Sequence, residues 1–433
     1  MGGAALQAAS PCKKLLVLGG SNCQLHALQR AKERGLYTVL ADYTDHPPGL
    51  AFTDTHLKVS TFDAEACIAA AKKEGVEGVL CVGTDQPVLT AAKVADALHL
   101  PSPLTVEEAF SVTNKRRMKQ IFRQADIRTP ACCYLTREGV FLDQDGKEAA
   151  CTLRAPFVIK PLDSQGQRGV YKVSSRDELF SRLPETLSFS REDICLVEEF
   201  VEGDEITVSG WLQDGNLFVL SVTDRIHYPD PVHIGVCTGH RYPTIHIAHY
   251  DEIVSFSKRT ADAFGIRNGA FYFQLLYGKE GPFAGELAAR VGGAFEDVTI
   301  DRLFSFPMMD AAIDLALGIT PVTPPALCRA DLQRSRAFVL LLFCKPGKIE
   351  SVTPKETLLS LPFVADCGYN YQAGEVIPRM QNATARFGHA VLLGEEDTVN
   401  AYVQRFFDTL QVMGDEGEDL LQRRLISSRY LEG

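Results

Sequence analysis

Residues 270–290 read AFYFQLLYGKEGPFAGELAAR, and this stretch carries the most information about the fold of the 433-residue chain. Two runs of aromatic and aliphatic residues, 270–277 and 283–290, flank the segment Gly278–Pro282, which contains two glycines and a proline. Strand-forming runs that are joined by such a short loop are typical of a β-hairpin. The stretch therefore predicts two neighbouring antiparallel strands.

A hairpin symmetric about Glu280 would bring chemically useful side chains together. It places Gln274 directly opposite Glu286, with their Cβ atoms about 5 Å apart. Arg290 follows on the face of Glu286, because side chains alternate along a strand. Mg²⁺ is held by one or two carboxylates plus phosphate oxygens, and arginine binds anions through its planar fork. The patch predicts a site for Mg²⁺ and a phosphate, although a cross-strand hydrogen bond beside a surface ion pair would show the same pattern.

The first hundred residues alternate short apolar runs with helical patterns. The strands are expected over 15–18, 37–41 and 78–82, and the helices over 25–34 and 64–74. This repetition predicts a parallel sheet with helices on both faces. Ligands of such sheets bind beyond the carboxyl ends of the strands. Here those ends carry Gly19–Asn22, Asp42 and Gly83–Asp85.

The turn Gly19–Gln24, with Asp42 further on, invites comparison with a dinucleotide-binding turn. Its paired glycines do not fit the G-x-G-x-x-G spacing, since a third glycine is missing. A tight strand-to-helix turn explains both glycines without a cofactor. A dinucleotide-dependent oxidoreductase stays an alternative that NAD(P) binding would reveal.

Lys115 begins a predicted helix that Thr113 or Asn114 caps. A cation in the first turn opposes the helix dipole, so Lys115 is unfavourable unless an anion lies nearby or water solvates it. Lys160 ends a predicted strand, and the following loop, 161–169, contains two glycines that could present backbone N–H groups to phosphate. An ordinary flexible hairpin would show the same loop.

Acidic residues close the next apolar run. Glu198 and Glu199 lie in the run 195–201, where a charge is costly unless it is paired. Glu205 opens a second run, 205–211, and the pattern predicts two strands around a tight connection. Simple sheet-edge charges are the alternative interpretation.

Composition limits the class of protein. The net charge is −11, with 45% hydrophobic and 23% charged residues, which indicates a globular chain of about three domains. An acidic chain without a basic block is a poor binder of nucleic acid or anionic membrane, so a small polyanion held by a few local cations is expected. The segment Met1–Pro11 lacks the features of a signal peptide, and twelve cysteines without a C-x-x-C motif suggest neither a zinc site nor disulfides. A soluble, cytoplasmic protein is the expectation.

Taken in order, these pieces resemble the ATP-grasp ligases, the superfamily of biotin carboxylase, carbamoyl phosphate synthetase, glycinamide ribonucleotide synthetase, D-alanine ligase and the L-amino-acid ligases. The resemblance covers nearly the whole chain. Towards the C-terminus it rests on Lys345-Pro346-Gly347 and Arg386-Phe387-Gly388. It implies an α/β and α+β protein with the ATP-grasp fold. The implied units are a Rossmann-like pre-ATP-grasp domain (1–112), an ATP-grasp core (113–320) with a mobile lid at about 127–200, and a C-terminal α+β domain (321–433).

The resemblance also implies roles for the motif residues around the phosphates. Lys115 and Lys160 are similar to the two lysines that reach the nucleotide phosphates. Ser164, Gln165 and Gly166 belong to the flexible loop that covers them.

The remaining motif positions correspond to the nucleoside and metal sites of the family. Glu198, with the backbone of Glu199 and Val201, would read the adenine edge, and Glu205 would bind the ribose hydroxyls. Gln274 and Glu286 match ligands of Mg²⁺ or Mn²⁺, and Arg290 matches the arginine that steadies the transferred phosphate. Ala288 stands where many relatives have an asparagine ligand, and alanine cannot bind a metal, so the number of metal ions stays open.

The resemblance predicts an ATP-dependent carboxylate–amine ligase of the amino-acid or dipeptide ligase type. ATP would phosphorylate a small-molecule carboxylate, and an amine would attack the acyl phosphate, releasing ADP and phosphate. A phosphoribosylglycinamide synthetase-like or biotin carboxylase-like enzyme is one alternative, and the predicted substrate loop, 225–243, does not decide between them. A nucleotide-binding regulatory protein without catalysis is another, motivated by Ala288. A homodimer is also expected, because dimers are common in this branch.

Overall fold

The computed structural model describes residues 12–164, 166–228, 235–380, 385–395 and 398–423. Predictions on Met1–Pro11 and on Gln165 therefore lie outside the described residues. All twelve cysteines are free thiols. Among the described residues, no helix combines the length and the apolar character that crossing a bilayer requires.

The N-terminal part forms a four-stranded parallel sheet, as predicted, in the order β3-β2-β1-β4. Its elements are β1 (Lys14–Leu18), α1 (Leu25–Glu33), β2 (Tyr37–Ala41), β3 (Thr55–Leu57), α2 (Ala64–Glu74), β4 (Gly78–Leu80), α3 (Pro87–Leu98), α4 (Val106–Thr113) and α5 (Lys115–Gln124). Gly75 ends α2 in the left-handed conformation (φ 66°), which glycine adopts without steric cost. The predicted elements are confirmed, apart from one-residue or two-residue differences at their ends.

A second sheet, called the lid sheet below, is antiparallel and has the strand order β6-β5-β9-β7-β8. Its elements are β5 (Cys132–Thr136), β6 (Phe141–Leu142), β7 (Phe157–Pro161), β8 (Tyr171–Val173), α6 (Arg176–Leu187) and β9 (Ile194–Glu199). One side of this sheet packs around α6, where Leu179, Leu183 and Leu187 are buried.

The third sheet is the largest and is called the central sheet. Its eight antiparallel strands follow the order β14-β13-β10-β11-β12-β15-β19-β17. The elements from the middle of the chain are β10 (Gly203–Gln213), β11 (Asn216–His227), β12 (Cys237–Tyr242), α7 (Tyr250–Phe264), β13 (Gly269–Gly278), β14 (Gly281–Ala288), α8 (Glu296–Phe304) and α9 (Met308–Ala316).

The C-terminal part adds strands to the same central sheet. Its elements are α10 (Arg329–Leu332), β15 (Arg336–Leu342), β16 (Gly347–Val352), α11 (Lys355–Leu359), β17 (Val364–Tyr369), β18 (Val376–Ile377), β19 (Gly388–Gly394), α12 (Val399–Thr409) and β20 (Val412–Gly414). β15 pairs with β12, so hydrogen bonding continues from the middle of the chain into its C-terminal part. The strands β18, β16 and β20 form a separate small sheet.

Strand alternation decides which face of the central sheet holds the core. In β13 the side chains of Phe271, Phe273 and Leu275 are at most 1% exposed and pack in the core with α7. Phe273 stacks on Phe256 of α7 at 5.9 Å between ring centroids. The intervening Gln274 is only half-buried and is directed to the opposite face.

Two predicted connections differ from the structure. The two runs around residue 202 are strands, but β9 belongs to the lid sheet and β10 to the central sheet, so they do not form one unit. The loop of the β13–β14 hairpin is only Lys279–Glu280, since β14 begins at Gly281.

Candidate active site

A cleft of about 470 Å³ lies between the lid sheet, the central sheet and the N-terminal part, within the size range of small-molecule sites. Every predicted site residue that the structure describes lines this cleft. These residues are Lys115, Lys160, Ser164, Gly166, Glu198, Glu199, Val201, Glu205, Gln274, Glu286 and Arg290. The fold thus brings together positions that are spread over 176 residues of the chain.

Lys115 is the first residue of α5, and Asn114 caps this helix by accepting a hydrogen bond from the N–H of Arg117 at 3.1 Å. The Lys115 ammonium donates to Glu286 Oε1 at 3.0 Å and to the carbonyl of Ser164 at 3.1 Å. Glu286 therefore supplies the anion that a cation at a helix N-terminus requires. These contacts join α5, the loop after β7 and the β13–β14 hairpin at one point.

Glu198 lies between two lysines. Its carboxylate forms ion pairs with Lys119 and with Lys160, the latter at 2.5 Å, and the residue is only 4% exposed. Burial raises the pKa of a carboxyl group, but here the two lysines outweigh burial and lower the pKa of Glu198 to about 2. Burial opposes the charge on Lys160, yet Glu198 raises the pKa of that lysine. Both oxygens of Glu198 are thus engaged by ammonium groups.

Sequence reasoning missed Lys119. It lies four residues after Lys115, so the two lysines share a face of α5, and this spacing was the available signal. Lys119 is only 2% exposed, and its ammonium group pairs with Glu198 and donates to the hydroxyl of Thr129, which offsets the cost of burying it.

The segment Phe200–Glu202 connects the lid sheet to the central sheet and lies beside the cleft. The N–H of Glu199 already donates to the carbonyl of Ala131 at 2.9 Å, and one Glu199 carboxylate oxygen accepts from the N–H of Arg154 at 2.8 Å. The N–H of Glu199 is therefore already used, so a backbone contact from this residue to a ligand in the cleft would use its carbonyl oxygen.

Glu205 begins the cleft-facing side of β10 and has two partners from β11. Arg225 Nε lies 3.1 Å and His227 Nε2 lies 2.7 Å from its carboxylate oxygens. Burial raises the pKa of Glu205, but Arg225 and His227 lower it more strongly, so that its pKa is about 2. Arg225 also donates to the hydroxyl of Tyr272 at 3.2 Å.

The hairpin places Gln274 directly opposite Glu286, so this predicted pairing is confirmed. The reasoning behind this prediction was partly wrong. The hairpin loop is shorter than predicted, which shifts the register by one residue, and a bulge at Gly285 shifts it back. A Cβ at Gly285 would lie 2.9 Å from the carbonyl oxygen of Gln274, which is the reason for glycine at this position.

Arg290 lies beyond the end of β14 and faces the N-terminal part. Its guanidinium pairs with Asp85 and lies over the ring of Tyr272, 4.6 Å from the centroid. Asp85 follows β4, where ligands of a parallel sheet are expected, but its pairing with Arg290 was not predicted. Tyr272 lies directly opposite Ala288 in the hairpin, so the aromatic ring borders the position that lacks the asparagine.

The donor set of the hairpin fits Mg²⁺ bound together with a phosphate. In the part of the chain that the structure describes, no group of three histidine, cysteine, aspartate or glutamate residues could hold a metal ion. Gln274 and Glu286 offer oxygen ligands, so phosphate oxygens and water would have to complete the shell, as is usual for Mg²⁺. The neighbouring Lys115 carries a charge that suits the same phosphate.

Comparison with known proteins agrees with this geometry. The family model described as "ATP-grasp domain" matches residues 153–296. The chain is 22% identical to dapdiamide A synthase of Enterobacter agglomerans over 356 residues, which covers 77% of this chain and 78% of that protein. It is 23% identical to the L-arginine-specific L-amino acid ligase of Bacillus subtilis, with 70% of this chain and 71% of that protein covered. The crystal structure of an L-amino acid ligase from Bacillus licheniformis superposes with a TM-score of 0.75 at 18% identity, over 94% of this chain and 100% of that one.

The chain carries an ATP-grasp domain and has the ATP-grasp fold. The predicted superfamily and fold class are therefore confirmed.

Proposed function

We propose that this protein is an ATP- and Mg²⁺-dependent carboxylate–amine ligase of the amino-acid ligase type. The observation that carries the proposal is the single cleft in which Lys115, Lys160, Gln274, Glu286 and Arg290 meet. Phosphoryl transfer depends on positioning and on cations that neutralise developing charge, and these side chains provide both. The relatives described above, which are named as dapdiamide and L-amino acid ligases, support the same class of reaction.

In this proposal the two ends of ATP are held by different parts of the cleft. Lys115 and Lys160 bind the phosphates, with Ser164 and Gly166 in the loop that covers them. The adenine lies against Phe200–Glu202, where the carbonyl of Glu199 and the backbone of Val201 form hydrogen bonds with its edge. Glu205 binds the ribose hydroxyls while Arg225 and His227 keep its carboxylate ionised.

Glu198 acts as a positioning residue that holds Lys160, because both of its carboxylate oxygens are engaged by lysines.

Gln274 and Glu286 would hold Mg²⁺, which neutralises phosphate charge when it is bound. Arg290, fixed by Asp85 and Tyr272, steadies the phosphate that passes to the substrate carboxylate. The amine then attacks the carbonyl carbon of the acyl phosphate, forms the C–N bond and displaces inorganic phosphate. We further propose the division into units 1–112, 113–320 and 321–433, with the lid at about 127–200.

Isotope transfer tests the reaction directly. The protein is incubated with ATP, Mg²⁺ and pairs of the twenty L-amino acids, one of which carries ¹⁸O in its carboxylate. We expect amide product by mass spectrometry and one ¹⁸O atom in the released phosphate, since the acyl phosphate passes one carboxylate oxygen to phosphate. Phosphate release without ¹⁸O would contradict an acyl phosphate, and ATP binding without turnover on any pair would favour a regulatory protein.

Glu286→Ala provides the matching site test. We expect turnover to fall by more than about 100-fold, because the variant loses a metal ligand and the partner of Lys115. Glu280→Ala is the control, since Glu280 lies exposed in the loop of the same hairpin. Equal activity of the two variants would show that the metal site lies elsewhere.

A further inference from the structure

A small polar cavity lies beside the cleft, between strands of the central sheet and α8, and its volume is about 10 Å³. Five side chains that line it each carry a buried polar atom without a hydrogen-bond partner among the described residues. These atoms are the hydroxyl oxygens of Thr207, Tyr242 and Thr299, Nε2 of His240 and Oε1 of Glu296. Their residues are at most 7% exposed. A buried polar atom without a partner is costly, so five of them around one cavity indicate a polar occupant.

Two of these side chains are held in place by their other polar atom. His240 Nδ1 lies 3.0 Å from the hydroxyl oxygen of Thr223. Glu296 Oε2 accepts a hydrogen bond from the N–H of Ala294 at 3.2 Å. Nε2 of the histidine and Oε1 of the glutamate are therefore left for the cavity. The cavity thus offers a carboxyl group, an imidazole and three hydroxyl groups, and the hydroxyl groups can both donate and accept.

The charges around the cavity favour a neutral occupant. Burial raises the pKa of Glu296 to about 7, although backbone N–H groups and Arg290 lower it, and Asp297 raises it further. Glu296 is therefore only partly ionised at pH 7. Burial and the charge of Arg225 lower the pKa of His240, so this imidazole is neutral. The two arginines would repel a cation and an ionised Glu296 would repel an anion, whereas a neutral molecule that donates and accepts suits both forms of the carboxyl group.

We propose that this cavity is a binding site for one water molecule, which joins α8 to β10 and β12. A cavity of about 10 to 15 Å³ is enough for one water, and such a water requires two to four polar partners. This cavity has that volume and offers five partners. One water can donate to Glu296 Oε1 and His240 Nε2 and accept from two of the three hydroxyl groups.

The bound water would fix one wall of the cleft. The cavity and the cleft share the side chains of His240 and Tyr272. Arg290 lies over the ring of Tyr272, 4.6 Å from the centroid. The water would therefore connect the strands that carry Thr207 and His240 to α8 beside the ring that holds this arginine. The inference is independent of the proposed ligase function, because its test measures neither nucleotide binding nor turnover.

Two substitutions of Thr207, on β10, test for the water. Thr207→Val keeps the shape of the side chain and removes one hydrogen-bond partner of the water. Thr207→Ile adds a methyl group that takes the place of the water itself. The melting temperature reports stability, and ¹⁷O magnetic relaxation dispersion counts the water molecules that stay inside the protein. Thr152→Val is the control, because Thr152 is exposed. Melting is measured in KCl and in choline chloride at equal ionic strength.

We expect Thr207→Val to lower the melting temperature by about 1 to 3 °C, the effect of losing one hydrogen bond, and to keep the number of internal waters. Thr207→Ile should lower the melting temperature further and lose one internal water, because the remaining polar atoms lose their shared partner. Thr152→Val should match the wild type in both measurements. The two salts should give the same differences between variants, since a neutral occupant does not depend on the cation.

Three results would overturn the inference. One is a melting temperature of Thr207→Val equal to or above that of the wild type, because removing a buried hydroxyl that has no partner does not destabilise a protein. Another is an unchanged number of internal waters in Thr207→Ile. The third is a stabilisation by KCl that Thr207→Ile abolishes, which would identify a bound cation. Should Thr207→Ile fail to fold, Thr299→Ile makes the same change from α8.

Discussion

Replacing Glu198 by glutamine should destabilise the lid sheet by about 3 kcal/mol at pH 7. The pKa of this carboxyl falls from its ordinary 4.5 to about 2 in the folded protein, and each pH unit corresponds to about 1.4 kcal/mol. Glutamine resembles the protonated form, so the substitution removes this contribution. The residue is only 4% exposed, so screening by water does not reduce the effect much. The value agrees with the 3–5 kcal/mol that breaking a buried ion pair typically costs.

Urea unfolding, followed locally by hydrogen exchange of the β7 and β9 amides, measures this loss. Glu202→Gln is the control, because Glu202 is exposed three residues after β9. The folded-state pKa lies below the unfolded one, so the stabilisation is fully present above pH 4.5 and disappears as the pH falls towards 2. The difference between wild type and Glu198→Gln should shrink over that range. A difference of less than 0.5 kcal/mol at pH 7 (roughly the effect of a neutral surface substitution), or one that does not change with pH, would refute the reasoning.

Two further predictions concern Gly292, in the loop between β14 and α8, and His26 of α1. Gly292→Ala should lower turnover, because a Cβ there would displace the Glu296 side chain and lie 2.7 Å from Cε2 of Tyr272, which lines the cleft. Phosphate release measures the loss, fluorescence shows whether the variant still folds, and full activity would contradict the geometry. His26→Ala should lower stability by about 2 kcal/mol, because His26 contacts both Asp297 and Asp366. Burial opposes its charge, but the aspartates raise the pKa of His26 to about 10. The stabilisation by His26 should therefore be complete below pH 6.5 and disappear as the pH rises towards 10. A difference in melting temperature between wild type and His26→Ala that stays constant across this range would count against the prediction.

The β13–β14 hairpin shows how far local sequence carries a prediction. The pairing of Gln274 with Glu286 was predicted correctly, although the assumed loop was too long. The two-residue loop shifts the register by one position, and the bulge at Gly285 shifts it back. Composition and period indicate that strands exist and which face is polar. They do not reveal a bulge, which depends on how closely two backbones approach.

Contacts between distant segments were the part that sequence reasoning could not supply. The strands around residue 202 are only three residues apart, a spacing that is common in hairpins, yet long-range pairing assigns β9 to β5 and β7. For the same reason Lys119 and Asp85 were missed as partners of Glu198 and Arg290. Each pair joins segments about 80 to 200 residues apart in the chain, and nothing in either segment alone identifies its partner.

The connections of the lid sheet have a mechanical consequence. It joins the rest of the chain through two short links, one between α5 and β5 and the other at residues 200–202. We expect these two links to let the lid sheet rotate about the line that joins them. Lys160 and Glu198 belong to the lid sheet, whereas Lys119 and Lys115 belong to α5, outside it. The contacts of Lys119 with Glu198 and of Lys115 with Ser164 connect these two parts, so the charges that we propose to hold the nucleotide would also limit how far the lid sheet rotates.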